Sequence, residues 1–279
     1  MNVSTAAGRL FIVSTPIGNM GDFSFRAVET LRGVALVLAE DTRHSRKLLD
    51  RYAIETRVTA YHEHNEAKMT PGLVARLCAG EDLALISDAG TPLLSDPGAR
   101  LVRSAIDAGI SVVPIPGASA LLPALVASGI DADRFTFFGF LPRKGRERAA
   151  ALADLTTLRH TAVLYEAPTR LVGTLVELEE RGAGERDAAV AREMTKQYEE
   201  IKRGTLSALR AYYTDVPPRG EVVIVLAGAI ERATDDAQVR ERAKALRAQG
   251  RSTRDVAMTL VTELGVARNR AYEIAQEEL

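Results

Sequence analysis

Residues 87–98 contain the densest set of side chains that could bind a ligand. Their sequence, SDAGTPLLSDPG, holds two aspartates, two serines and a threonine directly after the apolar run 83–86. Glycines let the backbone approach a ligand closely, prolines stiffen a turn, and aspartate and serine side chains offer hydrogen bonds. This composition predicts a ligand-binding loop. The alternative is a structural turn in which Ser95 or Asp96 caps the next helix.

Three further loops of this kind follow apolar runs in the first 120 residues. Runs rich in Val, Ile and Leu recur with helical patterns between them, which indicates buried strands of a parallel α/β sheet. In open sheets of this type, ligands bind outside the carboxyl ends of the strands. We therefore expect the loops to converge on one site. The runs are 10–13, 34–39, 83–86 and 112–115, and the loops are 14–21, 40–44, 87–98 and 116–120.

Residue spacing gives little support to a serine nucleophile or a metal centre. Residues 117–121, GASAL, nearly form the nucleophile elbow GxSxG, but leucine replaces the final glycine and His160 is the only later histidine. His62 and His64 are the only close histidine pair, and Cys78 is the only cysteine. We interpret the histidines as surface residues and Cys78 as a core residue. Neither a metal site nor an intrachain disulfide is predicted.

Length and strand pattern predict two α/β domains and a small helical segment. A chain of 279 residues fits two domains of roughly 150 residues each. Beyond residue 120 the strand candidates are 135–140, 161–165, 188–192 and 221–227, with fewer helical patterns between them, and from residue 231 onward the strands stop. The predicted domains are an N-terminal α/β domain with a mostly parallel sheet (1–120), a second α/β domain with a mixed sheet (121–229) and a helical C-terminal domain (230–279).

Composition excludes several classes of protein. Lys and Arg number 36 against 37 Asp and Glu, which argues against a chain that coats nucleic acid or membrane indiscriminately. The longest apolar run, 222–230, is shorter than the ~20 residues of a membrane span, and the first 14 residues do not resemble a secretion signal. We expect a cytoplasmic protein with no membrane partner. Basic clusters at 43–47, 143–148 and 240–270 nevertheless hint at a bound polyanion.

Eight motifs, in unbroken order between residues 8 and 228, resemble those of one family. They are similar to motifs of the bacterial small-subunit ribosomal RNA 2'-O-methyltransferases, which belong to the tetrapyrrole methylase superfamily. Tetrapyrrole enzymes have a GPGD-type first loop, in which an acidic residue is common at the position that Asn19 occupies in this sequence. The asparagine makes a porphyrinoid substrate less favoured. The motifs are STPIGN from residue 14, LAEDTRHSRKLL from 38, SDAGTPLLSDPG from 87, PGASA from 116, FFGFLPRK from 137, YEAPTRL from 165, AREMTKQYEE from 191 and GEVVIVLAG from 220.

The resemblance implies a methyltransferase that holds S-adenosyl-L-methionine in the cleft between two α/β domains of the tetrapyrrole methylase type. It also implies a homodimer whose substrate is the ribose of a cytidine in the decoding centre of 16S ribosomal RNA. In this family three loops of the first domain line the cofactor and the second domain adds contacts. Carried over by motif, the cofactor-binding residues are Pro16, Gly18, Asp88, Gly90, Thr91, Ser95, Pro116, Gly117, Ser119, Glu166, Ala167, Pro168, Gly220 and Glu221.

Methyl transfer to a ribose hydroxyl needs alignment and removal of a proton. An in-line displacement at a sulfonium requires neither a metal nor a covalent intermediate. A nearby base, or a cation that stabilises the oxyanion, would help. Asp41 could equally cap the helix that begins near Thr42, and Arg192 or Glu193 could form a structural ion pair. The catalytic candidates are Asp41, Arg43, His44, Glu193 and Lys196, of which Lys196 is the first choice for acidifying the hydroxyl.

The C-terminal helices have two interpretations. Between residues 239 and 270 there are eight basic and three acidic residues, an excess that favours docking of RNA. The apolar face formed by Val256, Leu260 and Leu264 could instead pack on the body of the protein. Two competing functions stay open: methylation of a tetrapyrrole or another small molecule, and noncatalytic nucleic-acid binding. Cofactor binding would separate the noncatalytic protein from both enzymes.

Overall fold

Two compact units make up the chain, and they meet at residues 228 and 229. The computed structural model describes residues 6–229, 236–264, 266 and 268–277. The first unit contains two five-stranded sheets, and the described part of the second contains only helices. The predicted boundary at residue 120 lies inside the first unit, between the two sheets, and stays a prediction.

The first sheet is entirely parallel. Its strands have the order β3-β2-β4-β1-β5, so that Leu10 of β1 pairs with Leu83 of β4 on one side and with Val112 of β5 on the other. Strand β3 was not predicted, because its three half-buried residues do not form an apolar run. The strands are β1 (Arg9–Val13), β2 (Leu36–Ala39), β3 (Val58–Ala60), β4 (Leu83–Ile86) and β5 (Ser111–Ile115).

Helices cover both faces of this sheet, which explains why its strands are apolar throughout. Alternate strand residues belong to different cores: Phe11 and Val13 face one layer of helices, whereas Leu10 faces the other. The prediction that Cys78 lies in the core is wrong. Cys78 is exposed, because the preceding residue, Leu77, takes the inward direction on that helix. The helices are α1 (Phe25–Gly33), α2 (Thr42–Arg51), α3 (Glu66–Cys78) and α4 (Ala99–Asp107).

The second sheet is mixed, as predicted. Its order is β6-β7-β10-β8-β9, in which only the first pair is parallel. Strand β9 was not predicted, because its sequence EIKRGT alternates without a buried apolar run. The strands are β6 (Phe135–Phe140), β7 (Thr161–Glu166), β8 (Asp187–Arg192), β9 (Glu200–Thr205) and β10 (Val222–Leu226).

One face of the second sheet packs on three helices and the other on a single helix. Leu164 and Ile224 belong to the core beneath the three helices. Val163 and Val225 face the single helix, and Ile17 from the loop after β1 joins that same core. A residue of the first loop is thereby anchored on the second sheet. The single helix is α5 (Leu121–Ser128), and the other three are α6 (Gly145–Thr157), α7 (Pro168–Leu178) and α8 (Leu206–Asp215).

The C-terminal unit has an apolar core of its own. Val256 and Leu260 are fully buried in this core, and Leu264 packs against it. The apolar face, for which packing on the body was the alternative interpretation, is used inside this unit. Its helices are α9 (Asp236–Ala248), α10 (Thr253–Leu264) and α11 (Arg268–Glu277). Gly250 lies between the first two.

Candidate active site

Three loops that follow strands of the first sheet are bound to one another at its carboxyl edge. Thr15 and Gly90 exchange backbone hydrogen bonds of 2.9 and 3.0 Å, which join the loop after β1 to the loop after β4. Thr91 donates its hydroxyl to the carbonyl of Ala118, 3.3 Å away, and so adds the loop after β5. The predicted convergence of these loops is confirmed.

The second sheet brings a matching set of residues to one of its edges. Val222, at the start of β10, pairs with Glu166 at the end of β7 and with Arg192 at the end of β8. In an antiparallel ladder the end of one strand lies beside the start of the next. The register therefore places Gly220, Glu221 and the loop after β8 next to the β7–α7 junction.

The two edges enclose a cavity of about 400 Å³, here named the main cavity. This volume is within the range of roughly 300–1,000 Å³ that is typical of small-molecule sites. Apolar side chains such as Ile17, Leu94 and Phe140 contribute to its wall. Ten of the predicted cofactor residues line it: Asp88, Gly90, Thr91, Ser95, Ser119, Glu166, Ala167, Pro168, Gly220 and Glu221.

The other four predicted cofactor residues lie beside the main cavity. Pro16 and Gly18 line a neighbouring pocket. Pro116 and Gly117 are not among the lining residues of either, and a Cβ at Gly117 would lie 2.8 Å from the Cβ of Ser14. Gly117 thus allows the loop after β5 to pack against the end of β1. Its contribution to the site is the position of Ser119, two residues further on.

The neighbouring pocket, here named the side cavity, has a volume of about 210 Å³. It is formed by the loop after β1, helix α2 and Lys196. The lining residues include Met20 from the loop after β1, Ser87 from the loop after β4, and four residues of α2: His44, Ser45, Lys47 and Leu48. Four residues line both cavities and form the wall between them: Ile17, Asp88, Ala89 and Glu221.

Backbone strain is concentrated in the loops of the site. Leu93 and Ser95 have φ angles of 73° and 71°, and Glu193 and Thr195 have φ angles of 51° and 67°. Side chains other than glycine rarely adopt this region, and such residues are often found at functional sites. The first pair lies in the loop after β4 and the second in the loop after β8. Both loops are therefore held in conformations that local preference does not favour.

Lys196 is held between two carboxylates. Its Nζ atom lies 3.0 Å from Oε1 of Glu193 and 3.3 Å from Oε2 of Glu221. Burial lowers the pKa of Lys196, but the hydrogen bond to Glu193 and the charge of Glu221 outweigh burial and raise it. Burial likewise raises the pKa of Glu193, while the backbone N–H of Glu221 and the Lys196 ammonium lower it overall. Both groups are consequently charged near neutral pH.

The remaining catalytic candidates have different surroundings. Asp41 caps α2 by accepting hydrogen bonds from the backbone N–H groups of Arg43 (2.8 Å) and His44 (3.4 Å), and these bonds lower its pKa. The Arg43 side chain is 91% exposed, and neither Asp41 nor Arg43 lines the two cavities. His44 does line the side cavity. The capping alternative for Asp41 thus describes its contacts, whereas His44 is placed where it could meet a ligand.

The side chain of Glu166 is committed to structure although the residue lines the main cavity. Its Oε1 atom accepts the backbone N–H of Ala167 at 2.9 Å and lies 3.2 Å from Nε of Arg170. Its Oε2 atom accepts the hydroxyl of Thr174 at 2.6 Å, and the side chain is fully buried. Glu166 therefore fixes the start of α7 and leaves ligand contact to its neighbours.

Two titratable residues of the main cavity were not predicted as site residues. Burial and the charge of Glu40 raise the pKa of Asp96 to about 6, and burial raises the pKa of Tyr165. The alternative in which Asp96 caps the next helix is wrong, because the N-cap residue of α4 is Gly98. The available signal was the second aspartate of SDAGTPLLSDPG, which lies in the same loop as Asp88.

The described residues give no geometric support to a serine hydrolase or to a metal centre. His160 lies immediately before β7, at the opposite end of that strand from the main cavity, and its Nε2 atom is 2.8 Å from the Thr136 hydroxyl. Within the described part of the chain, no group of three or more His, Cys, Asp or Glu side chains is arranged to hold a metal ion. None of the described helices has the length and apolar character needed to cross a membrane.

A family model described as Tetrapyrrole (Corrin/Porphyrin) Methylases matches residues 9–210. The matched region contains the first sheet and four strands of the second, and it ends before β10 and before the lining residues Gly220 and Glu221. The chain belongs to this family. The tetrapyrrole methylases use S-adenosylmethionine as methyl donor, and this protein is accordingly a methyltransferase that uses that donor.

Two curated relatives match more than four fifths of the chain. A protein of Synechocystis sp. named Ribosomal RNA small subunit methyltransferase I is 45% identical over 97% of this chain and 98% of its own. A protein of Mesorhizobium japonicum with the same name is 51% identical over 82% of this chain and 79% of its own.

Two solved structures share the fold. A diphthine synthase superposes with a TM-score of 0.62 at 16% identity, covering 79% of this chain and 90% of its own. A uroporphyrin-III-C-methyltransferase from Thermus thermophilus superposes with a TM-score of 0.52 at 19% identity, covering 79% and 92%. At these identities the likeness concerns the fold alone.

The main cavity of this tetrapyrrole methylase fits the chemistry of S-adenosylmethionine. The donor carries a sulfonium cation, an ammonium cation and a carboxylate together with a ribose and an adenine ring. Asp88 and Asp96 supply carboxylates, and Leu94 and Phe140 supply apolar surface. Gly90, with a φ angle of 84°, has no side chain to narrow the cavity, and a Cβ there would lie 3.3 Å from Ile17. Size, polarity and charge are thus suited to the donor.

Proposed function

We propose that the protein transfers a methyl group from S-adenosylmethionine to the ribose 2'-hydroxyl of a cytidine in the decoding centre of small-subunit ribosomal RNA. The observation that carries the proposal is the match along 97% of the chain to a relative named Ribosomal RNA small subunit methyltransferase I. The position of the methyl group on the ribose follows from the motif resemblance. The geometry of the two cavities is consistent with a donor site beside an acceptor site.

In this proposal the donor occupies the main cavity. Asp88 and Asp96 would face its positive charges, and Thr91 and Ser119 would offer hydroxyl groups. Bound there, the donor supplies an electrophilic methyl group. The protein contributes alignment, which can account for a large part of the rate in a displacement between two bound partners. Backbone strain at Leu93 and Ser95 indicates that the wall is held in one conformation by the loops around it.

Lys196 would stabilise the negative charge that develops on the ribose oxygen as this oxygen attacks the methyl group and its proton passes to solvent water. Since its pKa is raised, Lys196 keeps its proton near neutral pH and is a cation rather than a base. Glu193 fixes its position, because one carboxylate oxygen contacts both the Lys196 ammonium and the backbone N–H of Glu221, at 3.0 Å each. Groups that are preorganised toward a developing charge lower the barrier most when they need no rearrangement. Arg43 and His44 would contribute through contacts with the RNA.

RNA binding by the C-terminal unit is also part of the proposal. Arg240 and Arg242 form ion pairs of 2.8 and 2.7 Å with Glu277 and Glu263, so part of the basic excess is used inside the unit. Arg254 and Arg268 are exposed and have no ion-pair partner among the described residues. These two side chains would be available to phosphate groups.

We infer a homodimer in the cytoplasm, where small ribosomal subunits occur. Leu122 and Val126 support the dimer, because they lie one turn apart on α5 and are 52% and 73% exposed. Exposed apolar neighbours of this kind often mark an interface. Light scattering should give twice the chain mass, and Val126→Asp should shift the protein toward the monomer. A wild-type protein that is monomeric at micromolar concentration would contradict the inference.

The decisive experiment combines methyl-labelled S-adenosylmethionine, the purified protein and small subunits from cells that lack this gene. Nucleoside mass spectrometry should then detect labelled 2'-O-methylcytidine. Label on another nucleoside or on the base would contradict the assigned position. Cofactor binding without any transfer to RNA would favour a tetrapyrrole or another small acceptor, and absence of cofactor binding would favour a noncatalytic protein.

A further inference from the structure

The side cavity has a size that suits part of a nucleotide. Its volume of about 210 Å³ is below the roughly 300–1,000 Å³ of a complete small-molecule site. The main cavity, at about 400 Å³, reaches that range. Because Ile17, Asp88, Ala89 and Glu221 line both, a ligand in one would lie directly beside a ligand in the other.

The carboxylates of the side cavity, Asp88 and Glu221, lie in the wall shared with the main cavity, so that an anionic ligand is favoured only at the α2 side. Lys47 and His44 lie on the exposed rim contributed by α2, and Lys196 closes the opposite side. Lys196 is neutralised by Glu193 and Glu221, whereas the Lys47 ammonium has no ion-pair partner among the residues that the structure describes. An unpaired cation on the rim of a concave surface attracts phosphate.

Ser45 gives a second, independent indication of a ligand. It lies between His44 and Lys47 on α2, lines the side cavity and is 2% exposed. Its hydroxyl has no hydrogen-bond partner among the described residues. A buried polar group without a partner is costly, so it calls for an explanation such as a ligand.

We propose that the side cavity is the subsite for the sugar–phosphate of the acceptor nucleotide, with Ser45 and Lys47 as the residues that bind it. The proposal rests on the proposed function and adds the place where the acceptor enters. Enzymes that act on a nucleotide within structured nucleic acid take it out of its stack into a pocket. Lys47 contacts the phosphate and Ser45 donates a hydrogen bond to a ribose or phosphate oxygen. The acceptor hydroxyl then lies at the shared wall, next to Lys196.

The test compares three variants of the full-length protein: Ser45→Ala, Lys47→Gln and, as a matched control on the same helix, Arg46→Gln. Arg46 is exposed but does not line the side cavity. One measurement is the KM for small subunits, and another is the Kd for a fluorescein-labelled single-stranded oligoribonucleotide in the presence of S-adenosylhomocysteine. The Kd for S-adenosylhomocysteine and the melting temperature are measured for every variant.

We expect Ser45→Ala to raise the KM and the oligoribonucleotide Kd about three- to tenfold, the effect of losing one hydrogen bond. Lys47→Gln should have at least the same effect and should reduce the dependence of binding on salt. Arg46→Gln should change both constants less than about twofold, the size expected of a screened surface charge. The affinity for S-adenosylhomocysteine should not change. Removing an unpartnered hydroxyl should not lower the melting temperature of Ser45→Ala.

Several outcomes would overturn the assignment. A lower melting temperature of Ser45→Ala with unchanged binding would make Ser45 a structural residue. Equal effects of Lys47→Gln and Arg46→Gln would indicate a diffuse basic surface, and weaker S-adenosylhomocysteine binding would assign the side cavity to the donor. If the proposed function is wrong, the wild-type protein will not methylate rRNA. The oligoribonucleotide measurement tests the subsite separately, because it does not depend on methyl transfer.

Discussion

The backbone of Gly18 lies directly against the side chain of Lys196. A Cβ at position 18 would overlap Cγ of Lys196 and would lie 2.9 Å from its Cε. The next residue, Asn19, donates its backbone N–H to the hydroxyl of Thr195 at 3.2 Å. The loop after β1 and the loop after β8 are thereby fixed against each other. The position of the Lys196 ammonium depends on the absence of a side chain at residue 18.

Gly18→Ala should reduce methyl transfer by displacing Lys196. A shift of about 1 Å in a group that acts on the reacting atoms can cost on the order of a hundredfold in rate. Single-turnover methyl transfer to small subunits measures this effect, and differential scanning calorimetry measures stability. Gly173→Ala is the matched control, because Gly173 is exposed on α7 and a Cβ there meets no atom within 4 Å.

The mechanism of the Gly18→Ala effect can be isolated in a double-mutant cycle with Lys196→Ala. If the new methyl group acts through Lys196, adding Gly18→Ala to Lys196→Ala should have little further effect on the rate. Independent, multiplicative losses would show that Gly18 acts through another contact, such as direct narrowing of the side cavity.

Lys196→Ala should lower the maximal rate about 10²- to 10³-fold, the range seen when one oxyanion-stabilising group is removed. The affinity for S-adenosylmethionine, measured by calorimetry, should stay nearly unchanged, since Lys196 lines the side cavity rather than the main cavity. Lys196→Arg keeps the charge and should recover part of the rate. Unchanged turnover of Lys196→Ala would remove this residue from the mechanism.

The architecture was accessible from the sequence because buried parallel strands leave a strong signal. Residues 83–86 are apolar on both faces, since helices cover both sides of the first sheet. The strand 200–205 was missed because its pairing with β8 is decided by register across the sheet rather than by local composition. Propensity and periodicity contain no information on such pairing partners.

The location of the site could be predicted from its loop motifs, whereas the pKa shifts of its carboxyl groups could not. Gly90 and Gly220 belong to motifs that stand out in the sequence, and both line the main cavity. The raised pKa of Asp96 results from burial and from Glu40, which is 56 residues away in the chain and follows a different strand. Only the fold shows that these two carboxyl groups are neighbours.

If the C-terminal unit binds RNA, the double variant Arg254→Ala/Arg268→Ala should weaken binding to small subunits while donor binding is preserved. Both side chains are exposed and have no ion pair among the described residues. Each lost phosphate contact should reduce the slope of log affinity against log salt by about 0.7 to 0.9. Filter binding over a salt series measures the slope. Arg242→Ala, which removes an internal ion pair with Glu263, is the control.

Deletion of residues 236–279 extends this comparison. The first unit keeps all of its own cores without these residues, so it should fold and bind S-adenosylmethionine. Its affinity for the small subunit should fall further than that of the double variant. Equal affinity of the shortened and full-length proteins would assign the C-terminal unit a role other than RNA binding.

Asp96→Asn should stabilise the protein near neutral pH. Because the pKa of Asp96 is raised to about 6 by burial and by Glu40, the folded state resists its ionisation. The unfolded chain ionises this group near pH 4, so its contribution to stability is complete below that pH and is lost as pH rises to about 6. At pH 7.5 the wild type therefore carries a penalty that asparagine removes, on the order of 1 kcal/mol after allowance for its partial exposure.

Urea unfolding at pH 4 and pH 7.5 measures this difference in the free energy of unfolding. The gap between Asp96→Asn and the wild type should be largest at pH 7.5 and much smaller at pH 4, because the folded wild type is then neutral at this position and its unfolded chain is only partly ionised. Asp154→Asn, at an exposed site on α6, controls for the loss of one negative charge from the surface. A gap that is the same at both pH values would mean that the substitution acts through packing or through its hydrogen bond with Ser87.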